Sequence, residues 1–479
     1  MNETFLFYDL ETFSTDSRRS RIAQFAAIRT DAALKEIEAA HDFMVKPAND
    51  LLPSPMATLI TGITPQRARD EGVCEAEAFA RIFDEMARPG TCTLGYNSLR
   101  FDDEFVRNGL FRNFFDPYER EWKNGNRRWD LLDVLRLAHA LRPHGIQWPK
   151  REDGATSFKL EHLALANGVR QGDAHEALSD VRALIGMARL LRDAQPKLWD
   201  YALRLRDKRF VATLVDPIAM QPVLHVSQRY PASRLCAAAV VPLARHPQVD
   251  NHIVVFDLDS EPDELLALEP EEIAARLYLR KDQLAEGQQR IPLKDVHLNR
   301  CPSLVAWSHL REDDFERLSI DRGLAEARAE RLRTAGPALA EKIRRVHAIE
   351  RERPPSDADA SLYDGFVSDA DRRRCVAVRA TPPAALADRD FGFEDPRLVE
   401  LLFRHRARNW PESLPPADHG RWEQWRRARL QPGSGLADPD LGDFERELAT
   451  LRAEHAAAPG KLALLDALDA WRSEILPPG

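Results

Sequence analysis

The sequence has few cysteines, and none of them form the close pairs that bind zinc or build a disulfide framework. Its five cysteines are scattered along the chain, and no two of them are separated by only two residues. This pattern argues against a structural zinc site and against a disulfide-rich secreted protein. It favours a reducing compartment, and we expect the cytoplasm.

Long hydrophobic runs are also missing. The chain contains no uninterrupted apolar stretch of about 18 residues, the length that a membrane-spanning helix needs. The opening segment MNETFLFYDLETF has no basic stretch followed by an apolar run and a small-residue cleavage site, so we expect no secretory signal. With 479 residues, 44% hydrophobic and 30% charged, the chain should form two or three globular domains and should not enter a membrane.

An excess of positive charge is likewise absent, since the formal net charge is −9. A negative chain repels nucleic acid on average, but phosphate binding depends on where lysine and arginine are placed locally. Divalent cations would also offset the carboxylates that bind them. The net charge therefore weakens the hypothesis of a nucleic-acid partner without excluding it.

The first 195 residues combine strand-like and helix-like patterns. Apolar runs predict strands at 4–10, 22–30, 41–47 and 91–97. Thr64 followed by Pro65 predicts the start of a helix, and helical periodicity continues at 129–142, 158–168 and 174–194. Strands followed by interspersed helices are typical of an α/β domain with a sheet flanked by helices.

The pattern changes twice further along the chain. Short β-rich pieces between residues 210 and 300 give way to helices rich in arginine, glutamate and alanine, which predicts a small barrel or sheet module with a helical extension. Residues 351–361, RERPPSDADAS, have the composition of a linker, and residues 362–479 are helical in pattern. We therefore place domains at 1–195, 196–350 and 351–479.

Two acidic residues end the first predicted strand. Asp9 and Glu11 lie two positions apart in FYDLETF, so on an extended strand their side chains project from the same face. They would repel each other and be costly to desolvate, and a divalent cation would relieve both penalties. The pattern is common, however, and both side chains could equally be solvated beyond the end of the strand.

Further candidates follow at two other places. Asp102, Asp103 and Glu104 begin a predicted helix directly after a strand, and spacing alone does not choose among them. His175 and Asp180 lie at the start of another helix, where a lone histidine is more often a surface or capping residue. Asp180 is harder to dismiss, because its neighbours are strongly apolar and a buried aspartate without a partner is rare.

The order of these motifs, D-x-E, then N-x-x-x-F-D, then H-x-x-x-x-D, resembles the DEDDh exonuclease superfamily. The segments LITGITPQ, LGYNSLRFDDEFVRN, NRRWDLLDVLRL and SFKLEHLALANG are similar to bacterial exodeoxyribonuclease I, as are YDGFVSDADRR and LLFRHRARNWP near the end. The resemblance covers nearly the whole chain. It implies a ribonuclease H-like exonuclease domain with a mixed sheet, an SH3-like β-barrel module and an α-helical C-terminal domain.

The resemblance also implies an activity, namely 3′→5′ hydrolysis of single-stranded DNA to deoxynucleoside 5′-monophosphates in DNA repair and recombination. It assigns catalysis to Asp9, Glu11, Asp102, His175 and Asp180, with His175 as the general base. Two Mg²⁺ ions, replaceable by Mn²⁺, would be held by Asp9, Glu11 and Asp180. Oxygen ligands favour these ions over zinc, and two such ions would activate the water and stabilise the leaving oxygen.

Basic and aromatic residues alternate between residues 100 and 136, as expected where bases stack on rings and arginines follow phosphates. Trp129 lies in an apolar helical pattern and is expected in the core, whereas Tyr118 and Trp122 lie in a segment bounded by proline, glycine and asparagine. The resemblance supports DNA contacts by Arg107, Tyr118, Trp122 and Arg136, and substrate contacts by Glu11 and Lys159.

Two alternatives stay open. An RNA-trimming member of the same superfamily would carry the same catalytic residues, because the sugar is recognised elsewhere. A catalytically inactive nucleic-acid-binding scaffold would bind without hydrolysis. For the leading hypothesis the resemblance implies a monomer whose partners are single-stranded DNA and the acidic C-terminal tail of the single-strand DNA-binding protein.

Overall fold

The computed structural model of the chain describes residues 3–170, 172, 176–279, 283–285, 288–349 and 356–477. Its strands are β1 (Thr4–Thr12), β2 (Ile22–Thr30), β3 (His41–Met44), β4 (Thr91–Gly95), β5 (Arg127–Asp130), β6 (Val223–Val226), β7 (Ala237–Arg245), β8 (His252–Asp257), β9 (Leu293–His297) and β10 (Ser303–Ala306). Its helices in the first half are α1 (Pro55–Thr61), α2 (Pro65–Glu71), α3 (Glu75–Met86), α4 (Asp102–Arg112), α5 (Leu131–Leu141), α6 (Leu160–Ala166), α7 (Ala177–Ala194), α8 (Pro196–Arg204) and α9 (Lys208–Leu214). The later helices are α10 (Asp263–Ala267), α11 (Pro270–Tyr278), α12 (Glu312–Leu318), α13 (Arg322–Thr334), α14 (Gly336–Ala348), α15 (Asp369–Arg379), α16 (Pro396–Asn409), α17 (Pro416–Leu430), α18 (Leu441–Glu454) and α19 (Pro459–Ile475).

The chain divides into two compact units that do not follow the sequence order. The first unit combines Met1–Arg127, Arg170–Ile185 and Pro354–Gly479, and the second combines Arg128–Val169 and Gly186–Arg353. The C-terminal helices therefore pack in the same unit as the N-terminal sheet. The three-domain boundaries expected from sequence stay a prediction about the chain's modules.

The first unit is built on the mixed sheet that was expected. Strand β1 lies between β2, with which it pairs antiparallel, and β4, with which it pairs parallel. Leu6, Tyr8 and Leu10 point from one face of β1 into a core that includes Phe79 of α3 and Phe105 of α4. Because side chains alternate along a strand, Asp9 and Glu11 point to the opposite face.

Local sequence signals explain where two of the helices begin. The Thr64 hydroxyl accepts a hydrogen bond from the backbone N–H of Arg67 at 3.2 Å, and Pro65 opens α2, which confirms the predicted helix start. The helix expected from residue 129 instead begins at Leu131. Residues 127–130 form β5, and the Asp130 carboxylate accepts from the N–H of Leu132 at 3.1 Å, so the acidic cap sets the boundary.

The linker expectation is wrong for residues 356–361. Asp359 is buried and forms ion pairs with Arg404 at 2.9 Å and Arg408 at 2.6 Å. This segment is therefore part of the first unit's interior, because buried carboxylates need partners and these arginines supply them. The helical composition expected after residue 362 is confirmed by α15 to α19.

The second unit contains a five-stranded antiparallel sheet in the order β10-β6-β7-β8-β9. One face packs on α11 and α14, where Val254 and Phe256 of β8 contact a core that includes Ile343 and Val346. This confirms the β-rich module with a helical extension.

Across the described part of the chain, no helix combines the length and the apolar character that crossing a membrane requires.

Candidate active site

Three carboxylates from two elements of the first unit meet at the end of the sheet. Oxygen atoms of Asp9 and Glu11 on β1 and of Asp180 on α7 all lie within 4.8 Å of one another. The spacing of two residues along β1 places the first pair on one face, and the first turn of α7 supplies the third carboxylate. The structure thus brings together the three residues predicted to bind metal.

Asp102, the first residue of α4, extends this cluster. Burial, together with the charges of Asp102 and Asp180, raises the pKa of Asp9 well above its usual range. Burial and repulsion from Asp9 and Asp180 raise the pKa of Glu11 to about 9. Four carboxyl groups therefore share one partly desolvated region, where their mutual repulsion disfavours the charged forms.

A positive group already approaches this cluster from within the unit. A guanidinium nitrogen of Arg170 donates to an Asp180 oxygen at 3.0 Å. Arg170 was not predicted from the sequence, because it belongs to no motif and only follows α6. Its positive charge partly neutralises Asp180 at one side of the cluster. The pKa values of Asp9 and Glu11 nevertheless remain raised.

The residues present fit a divalent cation. All of the converging donors are carboxylate oxygens, which is the donor type that Mg²⁺ and Mn²⁺ prefer. A cation would also relieve the repulsion that raises the pKa of Asp9 and Glu11. The cluster is thus suited to bind a hard metal ion and, through it, a phosphate.

The structure separates Asp102 from its two acidic neighbours. Asp103 accepts hydrogen bonds from the Tyr8 hydroxyl at 2.8 Å and from Arg120 at 2.7 Å, and all three side chains are buried. Glu104 pairs with Arg107 at 3.0 Å. Asp103 and Glu104 therefore hold the fold around α4, and Asp102 is the acid whose charge acts on Asp9.

His175, the predicted general base, lies outside the described residues, so its role stays a prediction. The described chain resumes at Glu176, and α7 starts at Ala177.

Arg107, predicted to contact DNA, lies in a buried group of ion pairs. It donates to both carboxylate oxygens of Glu121 at 2.7 and 2.9 Å, and its guanidinium lies 5.4 Å from the centre of the Tyr118 ring. The Tyr363 hydroxyl, which sequence analysis missed, contacts both Arg107 and Glu104. Arg107 is 6% exposed in these contacts, and its guanidinium lies beside the ring of Tyr118.

Other predicted nucleic-acid contacts differ in how accessible they are. Trp122 in the first unit is 68% exposed, although large apolar side chains are usually covered. In the second unit, Arg136 is buried, pairs with Asp133 at 3.0 Å and lies 5.6 Å from the Phe158 ring centre. The Lys159 side chain is exposed and pairs with Glu161 at 3.3 Å. Their roles in binding stay predictions.

Three family models match successive parts of the chain. They are an exonuclease model over residues 6–187, an exonuclease I SH3-like domain over 206–349 and an exonuclease I C-terminal domain over 356–475. The fold expectation is thereby confirmed for all three modules.

Individual proteins match along their whole length. The exodeoxyribonuclease I of Escherichia coli K12 is 44% identical over 476 residues, covering 99% of this chain and 98% of the relative. The structure of a moderately thermophilic exonuclease I from Methylocaldum szegediense matches with a TM-score of 0.95 and 46% identity, covering 99% of this chain and 100% of the other. A zinc-bound complex of the E. coli enzyme with single-stranded DNA matches with a TM-score of 0.94 and 43% identity over the same shares.

Proposed function

The chain belongs to the exonuclease I family, and from that premise we propose that it is a 3′→5′ exonuclease that hydrolyses single-stranded DNA. The observation that carries the proposal is the cluster of Asp9, Glu11 and Asp180, with the charge of Asp102 beside it. The similar E. coli enzyme has been crystallised with single-stranded DNA, which supports the choice of substrate.

Asp9, Glu11 and Asp180 would hold two Mg²⁺ ions, with Mn²⁺ as a substitute. When bound, such ions would activate water for attack on phosphorus and would stabilise the leaving 3′ oxygen. The carboxylates fix where the terminal phosphate lies, and Asp102 adds negative charge that favours cation binding over an empty cluster. A cation that binds the Asp180 oxygen now contacted by Arg170 would compete with that ion pair.

His175 would accept the proton of the attacking water, a task suited to a side chain whose pKa is ordinarily about 6.5. Glu11 would also contact the terminal nucleotide, and Lys159 would contact the substrate farther along. Repeated hydrolysis at the 3′ end would release deoxynucleoside 5′-monophosphates. The proposed biological setting is DNA repair and recombination in the cytoplasm.

Bases would stack on Trp122 and Tyr118, and Arg107 and Arg136 would face the phosphates. Stacking on aromatic rings tolerates every base, which suits an enzyme that degrades strands of any sequence. The exposed ring of Trp122 supports this assignment most directly.

The decisive experiment compares single-stranded DNA blocked at its 3′ end with the same strand blocked at its 5′ end. With Mg²⁺ we expect digestion only of the 5′-blocked strand, with loss of activity in EDTA and in the Asp9→Ala and Asp180→Ala variants. The variant Asp84→Ala, which changes an exposed acid in the same unit, serves as the matched control and should retain full activity.

Other outcomes would overturn the assignment. Faster digestion of a matched RNA strand would make the protein an RNA-trimming enzyme. Binding without hydrolysis in the presence of Mg²⁺ or Mn²⁺ would make it a scaffold. Digestion from the 5′ end would contradict the proposed polarity.

We extend the proposal to a protein partner and to the oligomeric state on the strength of family membership alone. The chain would act as a monomer and bind the acidic C-terminal tail of the single-strand DNA-binding protein. Fluorescence anisotropy with a labelled tail peptide should show saturable binding that disappears when the terminal residues of the peptide are removed. Sedimentation at micromolar concentration should give a single species of about 54 kDa, the mass of one chain, calculated as 54.4 kDa.

A further inference from the structure

A second cluster of metal-binding side chains lies in the second unit. His246 follows β7, Asp295 lies on β9, and His347 lies in the last turn of α14. One ligand atom from each residue lies within 4.8 Å of the other two. Three elements that are distant in sequence thus bring two imidazoles and a carboxylate to one point, and the proposed nuclease chemistry uses none of them.

Three polar atoms of this cluster, two on His347 and one on Asp295, have no hydrogen-bond partner among the described residues. The His347 side chain is buried, with 7% exposure, and neither of its ring nitrogens has a hydrogen-bond partner among the described residues. One oxygen of Asp295 is likewise buried and unsatisfied within that part of the chain. Buried polar groups are nearly always paired, so two such residues side by side call for a ligand.

A further histidine, His252, lies beside this cluster. A ring nitrogen of His252 lies 4.0 Å from an Asp295 oxygen, and the His252 ring packs on that of His297 with centres 3.7 Å apart. His246 lies between the others, with ring centres 5.8 Å from His252 and 5.0 Å from His347. The antiparallel pairing of β8 with β9 sets His252 opposite His297, which explains why they stack.

Three imidazoles in this region, those of His347, His252 and His297, are partly or wholly removed from water. Burial lowers the pKa of His347, aided by His246 and His252, although Asp295 acts in the opposite direction. Burial also lowers the pKa of His252, and burial with His252 and Arg300 lowers the pKa of His297 to about 3.

Another histidine-containing cluster shows the contrast. Glu38, His41 and Glu85 also converge, but Arg88 pairs with Glu38 at 2.7 Å and Arg29 pairs with Glu85 at 3.2 Å. Those arginines neutralise the carboxylates, so that cluster needs no ion. Among the described residues, no arginine or lysine forms an ion pair with Asp295 within 4.0 Å, and the group that faces its carboxylate at that distance is His252.

We propose that His246, Asp295 and His347 bind one divalent transition-metal ion such as Zn²⁺, with His252 as the adjacent fourth donor. Two or three imidazoles with one carboxylate suit zinc, nickel or copper and not Mg²⁺, which prefers oxygen. Ligand atoms around zinc with bonds of about 2.0–2.1 Å are separated by less than 4.8 Å, and the three donor atoms here all lie within that separation. The backbone N–H of Gln248 donates a hydrogen bond to His246 Nδ1 at 3.1 Å. If Nδ1 became the metal ligand, this hydrogen bond would be lost.

Such an ion would link the C-terminal end of α14, through His347, to strands β8 and β9, through His252 and Asp295. Its role is therefore structural, and it does not depend on the proposed nuclease function. Because the cluster belongs wholly to the second unit, the carboxylates of the first unit can be removed without touching it.

The test measures bound zinc by elemental analysis after equilibrium dialysis of the full chain against micromolar Zn²⁺ and millimolar Mg²⁺. The Asp9→Ala/Asp180→Ala variant is used so that the catalytic carboxylates cannot contribute. We expect one zinc per chain, at least tenfold weaker binding in His347→Gln and Asp295→Asn, and unchanged binding in the matched control His144→Gln, which alters an exposed histidine of the same unit.

Zinc-edge X-ray absorption of the same samples should show imidazole scattering. His246→Gln, at the more accessible side of the cluster, provides a second variant if His347→Gln fails to fold by circular dichroism. Absence of zinc from the Asp9→Ala/Asp180→Ala protein would overturn the proposal. So would equal zinc affinity in the folded cluster variants and the control.

Discussion

Glu11 lies where the fold opposes its charge, and this has a measurable consequence. Its pKa is about 9 in the folded chain, whereas an unfolded glutamate titrates near about 4.3. The free energy of unfolding is highest below the pKa that Glu11 has in the unfolded chain. It decreases as pH rises toward the pKa that Glu11 has in the folded chain, because in this range the unfolded chain ionises more readily than the folded one. In EDTA, the melting temperature should therefore fall between about pH 5 and pH 9.

Mg²⁺ should reverse that trend, because a bound cation favours the ionised carboxylates. We expect the difference in melting temperature between Mg²⁺ and EDTA to widen with pH when followed by circular dichroism. Glu11→Gln should flatten the EDTA profile, and the exposed control Glu152→Gln should leave it unchanged. A wild-type profile that is level in EDTA would contradict the raised pKa.

Adjacent aspartates at the start of α4 should respond differently to substitution. Asp103→Ala leaves the fully buried Arg120 without its 2.7 Å partner, which should cost about 3–5 kcal/mol of unfolding free energy. Asp102→Asn instead removes repulsion from Asp9, so it should abolish hydrolysis and leave stability equal or higher. Urea unfolding and a nuclease assay on both variants check this, and the reverse pattern would refute the assignment.

The sequence could predict the acidic residues but not their separate tasks. Asp9 and Glu11 were identifiable because their spacing on a strand places them on one face. Asp102 and Asp103 could not be told apart without the fold, since the partners of Asp103 lie 95 and 17 residues away in the chain. Arg107 was expected to face phosphates, and nothing in the local sequence indicated its pairing with Glu121.

At the scale of single elements, the predicted helix and strand boundaries were correct where neighbouring residues alone determine them. Thr64 and Pro65 mark the start of α2 by their own hydrogen bonding and backbone geometry. The linker prediction was wrong for residues 356–361, because serine and aspartate after two prolines are typical of linkers, whereas Asp359 is buried and paired with arginines of α16. Such long-range ion pairs leave no periodic pattern in sequence.

The two tryptophans on either side of residue 125 provide a matched pair. Trp122 is 68% exposed, whereas Trp129 is 2% exposed and packs edge-on against Trp199 with ring centres 4.9 Å apart. Trp129→Ala should therefore lower stability by about 3–5 kcal/mol. Trp122→Ala should leave stability nearly unchanged and weaken DNA binding by about 1–3 kcal/mol, the worth of one stacked base.

Fluorescence anisotropy with a labelled oligonucleotide, in Ca²⁺ to suppress hydrolysis, measures the binding, and urea unfolding measures the stability. If Trp122→Ala binds as tightly as the wild type, then this ring does not stack on the DNA. The expectation that Trp129 is a core residue is already confirmed by its burial.

At the scale of the molecule, the first unit joins segments from both ends of the chain through buried charges. Asp50 accepts from Arg408 of α16 at 2.8 Å and from Arg429 of α17 at 3.2 Å. Arg408 also pairs with Asp359 at 2.6 Å. The N-terminal segment therefore depends on C-terminal arginines, and the removal of either segment would leave buried charges unpaired.

This network predicts acid sensitivity of the first unit. Burial alone would raise the pKa of Asp50, but Arg408 and Arg429 outweigh it and lower the pKa to about 2, against about 3.9 in an unfolded chain. The stabilisation is present above the unfolded pKa and is lost as pH falls through the folded one, and a shift of this size corresponds to about 2–3 kcal/mol.

Urea unfolding at several pH values should show stability decreasing between about pH 5 and pH 2. Asp50→Asn should be less stable at pH 7 by about 3–5 kcal/mol and lose less on acidification, whereas the exposed control Asp84→Asn should follow the wild type. Parallel acid profiles for Asp50→Asn and the wild type would show that Asp50 does not hold the two ends together.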